Sequence, residues 1–189
     1  MKKLPVLPLL LLITLLTACG KEKKVLIMAS GKLMVDDMTI TVDPGTTHNE
    51  KELIVKGDKI TLKNGTTVAD IAVTEPGLYV LNLKMDTLVG SYQRVGTENT
   101  TQRLTQEDLQ KKIDSLEQLT AGTNVSAAAR NFNIAPGRIA RITENTAATV
   151  IGPYLKMPSS FEGGKEYEIY KFSTNKEIRE TIDKLRKFQ

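Results

Sequence analysis

The single histidine of this 189-residue chain, His48, lies in Gly45-Thr46-Thr47-His48-Asn49-Glu50, with Asp43 just upstream. An imidazole and two carboxylates can ligate a divalent transition metal. His48, Glu50 and Asp43 are therefore the candidate metal ligands to weigh, and the expectation is no metal and no cofactor. A serine nucleophile of the Ser–His–Asp type would have to use the same histidine as its base. Ser30, Ser91 and Ser126 qualify by composition only, and no G-x-S-x-G elbow singles one out. A lone histidine between two strands is more often a solvated turn residue. Ser173-Thr174-Asn175-Lys176 has S-x-x-K spacing, which serves acyl-transfer chemistry when serine and lysine share a helix start. The S-x-N and K-T-G elements that complete such sites are missing. The plainer account is a helix cap followed by a surface lysine. Of the paired carboxylates, Asp36-Asp37 would point to opposite faces of a strand. Glu107-Asp108 fits a helix first turn, where the dipole favours acids. No residue is assigned a catalytic role.

Other chemistries lack their motifs. There is no Walker A, no G-x-G-x-x-G and no EF-hand calcium loop. The P-C-x-x-C that zinc deaminases pair with H-x-E is absent. No basic block with interleaved aromatics occurs, so nucleic acid is not expected as a partner. Tryptophan is absent and only 5% of residues are aromatic, which disfavours a glycan-stacking platform. Tyr154, Phe161, Tyr167, Tyr170 and Phe172 cluster late, among prolines and glycines. They are candidates for a binding loop, and the alternative is that they cover the C-terminal helix.

The only cysteine, Cys19, ends an apolar leader. Lys2 and Lys3 supply a positive start, Leu4 to Leu16 an apolar run, and Leu16-Thr17-Ala18-Cys19 a small-residue cleavage sequence. The run is shorter than the roughly 20 residues of a transmembrane helix and holds Pro5 and Pro8. It resembles the lipobox leaders of bacterial lipoproteins, over the first twenty or so residues. The resemblance implies diacylglyceryl transfer to the Cys19 thiol, cleavage between Ala18 and Cys19, and further acylation of the new amino group. Each buried methylene contributes about 0.8 kcal/mol, so two or more chains anchor durably. Gly20 stands where an aspartate would retain enteric lipoproteins in the inner membrane, which favours the outer membrane. With the cysteine used for lipid, disulfides, thiolate catalysis and cysteine-zinc sites are excluded from the mature fold.

Two of the charges behind the formal +4 are Lys2 and Lys3, so the mature domain is close to neutral. The resemblance implies a signal peptide over 1–18 and a lipidated tether over 19–24, and the patterning that follows predicts a β-rich domain over 25–100 and an α+β region over 101–189, with one shared core left open. Val25 to Ala29, Met38 to Val42, Leu53 to Val55, Lys59 to Lys63, Val68 to Val73, Leu78 to Lys84 and Leu88 to Val95 read as strands. Turns are expected at Asp43-Pro44-Gly45, Asn64-Gly65 and Glu75-Pro76-Gly77. Thr105 with Asp108 should cap a helix bearing Leu109, Ile113 and Leu116, with Gly122 at its exit. A short helical turn is expected over 126–132, and strands at Ile139 to Ile142, Thr146 to Ile151 and Tyr167 to Phe172. Thr174 with Glu177 should cap a last helix with the stripe Ile178, Ile182, Leu185 and Phe188. The expected class is α+β: an antiparallel, sandwich-like N-terminal half, then an α+β half ending in a helix. The expected role is a lipid-anchored, non-enzymatic envelope protein, in the outer membrane facing the periplasm, that binds an envelope protein or ligand. The alternatives are an envelope hydrolase using carboxylates or Ser173 and Lys176, and a structural subunit of an envelope complex.

Overall fold

Ten strands in two sheets and two helices make up the described part of the chain, residues 22–93, 105–152 and 167–188 of a computed structural model. In chain order they are β1 Lys23–Asp36, β2 Thr39–Ile54, β3 Lys59–Asn64, β4 Thr67–Ala72, β5 Gly77–Leu83, β6 Leu88–Gln93, α1 Gln106–Ala121, β7 Asn131–Ile134, β8 Ile139–Thr143, β9 Thr149–Ile151, β10 Ile169–Thr174 and α2 Asn175–Arg186. The class is α+β, with one helix at the C-terminal end. The six-stranded sheet runs β4-β3-β2-β1-β5-β8 and the four-stranded sheet β7-β6-β10-β9.

The purely antiparallel N-terminal half is corrected, because both sheets are mixed. β1 pairs parallel with β5, β2 parallel with β3, and β9 parallel with β10. Nor do the halves divide at residue 100. β8 from the second half edges the first sheet, while β6 from the first half sits inside the second. β1 also starts at Lys23, inside the run read as tether.

β1 and β5 are buried on both faces, which explains their continuous apolar runs. Val25, Ile27, Tyr79 and Leu81 point into one core with Ile40, Ile60 and Val73. Leu26, Met28, Leu78 and Val80 point into a second core, against Leu88, Phe132, Tyr170 and Phe172 of the other sheet. Fully burying one such side chain contributes about 1.5–3 kcal/mol. The first core forms because the six-stranded sheet curls. Asp37 and Met38 make the tight β1–β2 turn, with Asp37 at φ 47°. The Met38 carbonyl accepts from the Thr61 N–H, so the tip of this hairpin lies beside the start of β3, which itself follows the end of β2.

The curl needs a break in β2. The residues expected to form a turn, Asp43-Pro44-Gly45, instead lie within this strand. Ser30 pairs with His48 but its neighbour Gly31 pairs with Pro44, so Gly45, Thr46 and Thr47 bulge out. A bulge bends a strand and accommodates a proline that cannot donate to the ladder. Gly31, at φ 109°, lies so close to the Asp43–Gly45 backbone that a Cβ would collide with it.

Local signals are realised at the helices. Thr105 accepts from the Asp108 N–H while the Asp108 side chain bonds back to the Thr105 N–H, and Gly122 ends α1 at φ 71°. Thr174 and Glu177 make the same capping box on α2. Leu109 and Ile113 of α1 pack on Ile182 of α2, with Ile178 and Leu185 alongside. Phe188, expected in this stripe, is 74% exposed instead. The expected helical turn near 126–132 is a turn over residues 127–130, and β7 begins at Asn131. Among the described residues, no helix is long and apolar enough to cross a membrane.

Candidate functional site

The β2 bulge decides what becomes of the histidine. His48 and Glu50 are two apart on one strand, so they share a face. The His48 Nε2 lies 2.7 Å from the Glu50 Oε1. Their side chains are only 12% and 11% exposed, so His48 is not the solvated turn residue that its sequence context suggests. Asp43 is exposed on the far side of the bulge, paired with Lys32. Among the described residues no group of three His, Cys, Asp or Glu side chains is placed to hold a metal ion, so Asp43 does not complete a site with the other two.

A residue that the sequence did not single out joins this junction. Lys84, just beyond β5, is 6% exposed. Burial pushes its ammonium below the usual lysine range, and the nearby Glu177, Glu50 and Asp86 carboxylates partly restore it. The Lys84 N–H donates to the side chain of buried Asn82, whose amide donates to the carbonyls of Asp86 and Ile134. Gly152, one residue beyond β9, lies against the Glu50 carboxylate, which a Cβ there would force to move. His48, Glu50 and Lys84 thus form a polar seam between the sheets. In sequence Lys84 is only a polar residue closing a strand, and nothing local marks it as buried.

Ser173 lies within β10, opposite Val89, and Lys176 is exposed in the first turn of α2. The two therefore do not share a helix start, and the one-turn spacing that would set an ammonium over the hydroxyl does not arise. Thr174 takes the capping position, and the Lys176 N–H donates to Asp86. Asp36 ends β1 while Asp37 is in the turn, so this pair does not converge either. Asp108 is committed to its capping box, and hydrogen bonds from the Thr105 side chain and backbone hold its carboxyl below the ordinary range.

Of the late aromatics, Tyr170 is 1% exposed and packs edge-on to Tyr92 and Phe132, each ring centre 5.8 Å away. Tyr170 and Phe172 fill the core between the sheets, and Tyr170 also reaches the wall of a cleft. Tyr167 is half-buried; Tyr154 and Phe161 lie outside the described residues, as do Ala18 and Cys19. The Tyr170 hydroxyl donates to Glu168 at 2.6 Å. Burial and the Glu168 carboxylate push the phenol up to about 12. Burial alone would raise Glu168, but hydrogen bonds from Tyr170, Thr143 and Asn145 outweigh it and hold the carboxyl below the glutamate range.

Two open cavities frame these groups. A cleft of about 400 Å³ has Tyr170, Glu168, Arg130 and Arg141 in its wall. The Arg130 guanidinium lies 4.6 Å from the centre of the Tyr92 ring. Arg141 is held by the Pro76 carbonyl and by Glu75. A mostly apolar groove of about 220 Å³ lies between the β2 bulge and the β5–β6 turn, lined by Ser30, Pro44, Leu62, Lys84, Met85 and Pro136. No protein-family profile, curated protein or solved structure matches the chain.

Proposed function

We propose that the protein is a lipid-anchored component of the bacterial cell envelope, held in the outer membrane facing the periplasm, that acts by binding an envelope protein or ligand. One observation carries this: Leu16-Thr17-Ala18-Cys19 closes an apolar leader on the only cysteine, a few residues ahead of β1. A diacylglyceryl group on that sulfur would bring acyl chains whose burial supplies membrane affinity independent of the domain's charge. Binding is supported by the groove beside Met85, a large apolar side chain 90% exposed at its rim.

The test is fractionation of cells expressing the protein and its Cys19→Ser variant, with labelled palmitate. The wild type should carry label and sediment with membranes, and the variant should lose both. A variant that stays labelled and membrane-bound overturns the proposal.

One observation favours hydrolysis as a second function: Ser30 stands directly across from His48, which bonds to Glu50. A Ser30→Ala variant that abolished ester turnover by the purified domain would establish it. Its absence in the wild type would leave binding alone.

A further inference from the structure

We infer that the end of the sheet from which the tether leaves is seated directly on the lipid headgroups, with the Met85 end facing away from the membrane. The inference rests on the lipid anchor proposed above. The sheet takes hold of the chain very early. The Gly77 N–H donates to the Glu22 carbonyl at 2.9 Å, and the Val55 N–H to the Lys23 carbonyl at 2.8 Å. Only Gly20 and Lys21 stand between Cys19 and Glu22. Three backbone steps reach at most about 11 Å. The headgroup layer on one side of a bilayer is roughly 5–8 Å deep. A cysteine whose acyl chains are in the hydrocarbon therefore leaves Glu22 only a few ångströms of slack above the headgroups.

The direction of exit sets which part touches. β1 is covered on both faces, by Val25 and Ile27 in one core and Leu26 and Met28 in the other, so its first described residues, Glu22 and Lys23, lie at the end of the strand axis and mark the end of the sheet nearest the anchor. The parts beside that exit are the β2–β3 turn, with Lys56, Gly57 and Asp58, and the β4–β5 turn, with Glu75 and Pro76. Their chemistry suits a zwitterionic surface. Lys23 pairs with Asp58 at 2.5 Å, Lys24 with Glu52 at 2.8 Å, and Arg141 with Glu75 at 2.9 Å. Ile54, directly opposite Lys24, is 56% exposed and offers apolar surface at the same level. β5 runs parallel to β1, from Gly77 beside Lys23 to Leu83 beside Ala29. At about 3.3 Å per residue, Met85 lies about 20 Å or more further out. The groove beside Met85 then opens toward the aqueous compartment.

Because Cys19 is the only cysteine and the proposed anchor ties up its sulfur as a thioether, Lys56→Cys and Met85→Cys each add one free thiol at an exposed position. Each lipidated variant would carry a fluorophore there, in phosphatidylcholine vesicles containing a headgroup spin-labelled lipid. Quenching at 56 should exceed quenching at 85 by at least threefold. Inserting ten Gly/Ser residues after Gly20, which adds a flexible reach of about 17 Å, should abolish most of that difference. Equal or reversed quenching in protein that floats with the vesicles overturns the orientation and leaves the anchor standing. An unchanged difference in the spacer variant shows that the short tether is not what seats this end, and also overturns it. Protein that does not float removes the anchor itself, and the orientation with it.

Discussion

Among the described residues, Tyr170 carries a clear pH signature. Its phenol is buried, donates to Glu168, and is pushed up to about 12, against about 10 in an unfolded chain. Between those values the folded state keeps a proton that the unfolded state has lost, so stability falls as pH rises from about 10. The slope from this one group is at most about 1.4 kcal/mol per pH unit. Tyr170→Phe should cost about 1–3 kcal/mol at neutral pH, because Glu168 loses a donor. It should also flatten the alkaline fall, which urea midpoints at pH 8, 10 and 11 would check. Tyr170 was legible in sequence as an aromatic of a dense cluster, but not its position. The partners that bury it, Tyr92 and Phe132, lie 78 and 38 positions away in the chain. His48 fails in the same way, since a β2 bulge and the distant Gly152 enclose its neighbour Glu50. Neither is a local property of the sequence.

At the scale of elements, what is encoded within four residues could be read directly. Both capping boxes, Thr105 with Asp108 and Thr174 with Glu177, form as their spacing implies. The β3–β4 hairpin also forms, although its two-residue loop is Gly65-Thr66 and not Asn64-Gly65. Only Gly65 has a positive φ, 59°, the pattern of a type II′ turn. Strand partners were not legible, because an apolar alternation looks the same beside a parallel or an antiparallel neighbour. Pairing also explains Gly90 in β6. The Phe172 ring of β10 lies over it, where a Cβ would overlap the ring atoms. Gly90→Ala must displace a fully buried phenylalanine and should cost about 1–3 kcal/mol in chemical denaturation. A loss under 0.5 kcal/mol would mean that the ring does not pack there.

Across the whole molecule, the sheets are woven from both halves of the chain. A fragment of residues 22–100 would lose β8 from one sheet and β7, β9 and β10 from the other. Leu26, Met28 and Leu88 would then face water. Such a fragment should show no cooperative thermal transition and poorly dispersed amide resonances, whereas residues 22–189 should show both cooperative melting and dispersion. A cooperatively folding fragment would instead restore the boundary near residue 100. The composition shift there, from short strands to a capped helix, does not separate the sheets, because each sheet draws strands from both sides of it. Attachment of this body to a bilayer is tested most directly by the intact mass of the mature protein's N-terminal peptide. The account predicts a chain that starts at Cys19 and carries a thioether-linked diacylglyceryl group, with residues 1–18 removed. An unmodified Cys19, or a mature chain that begins elsewhere, would contradict it.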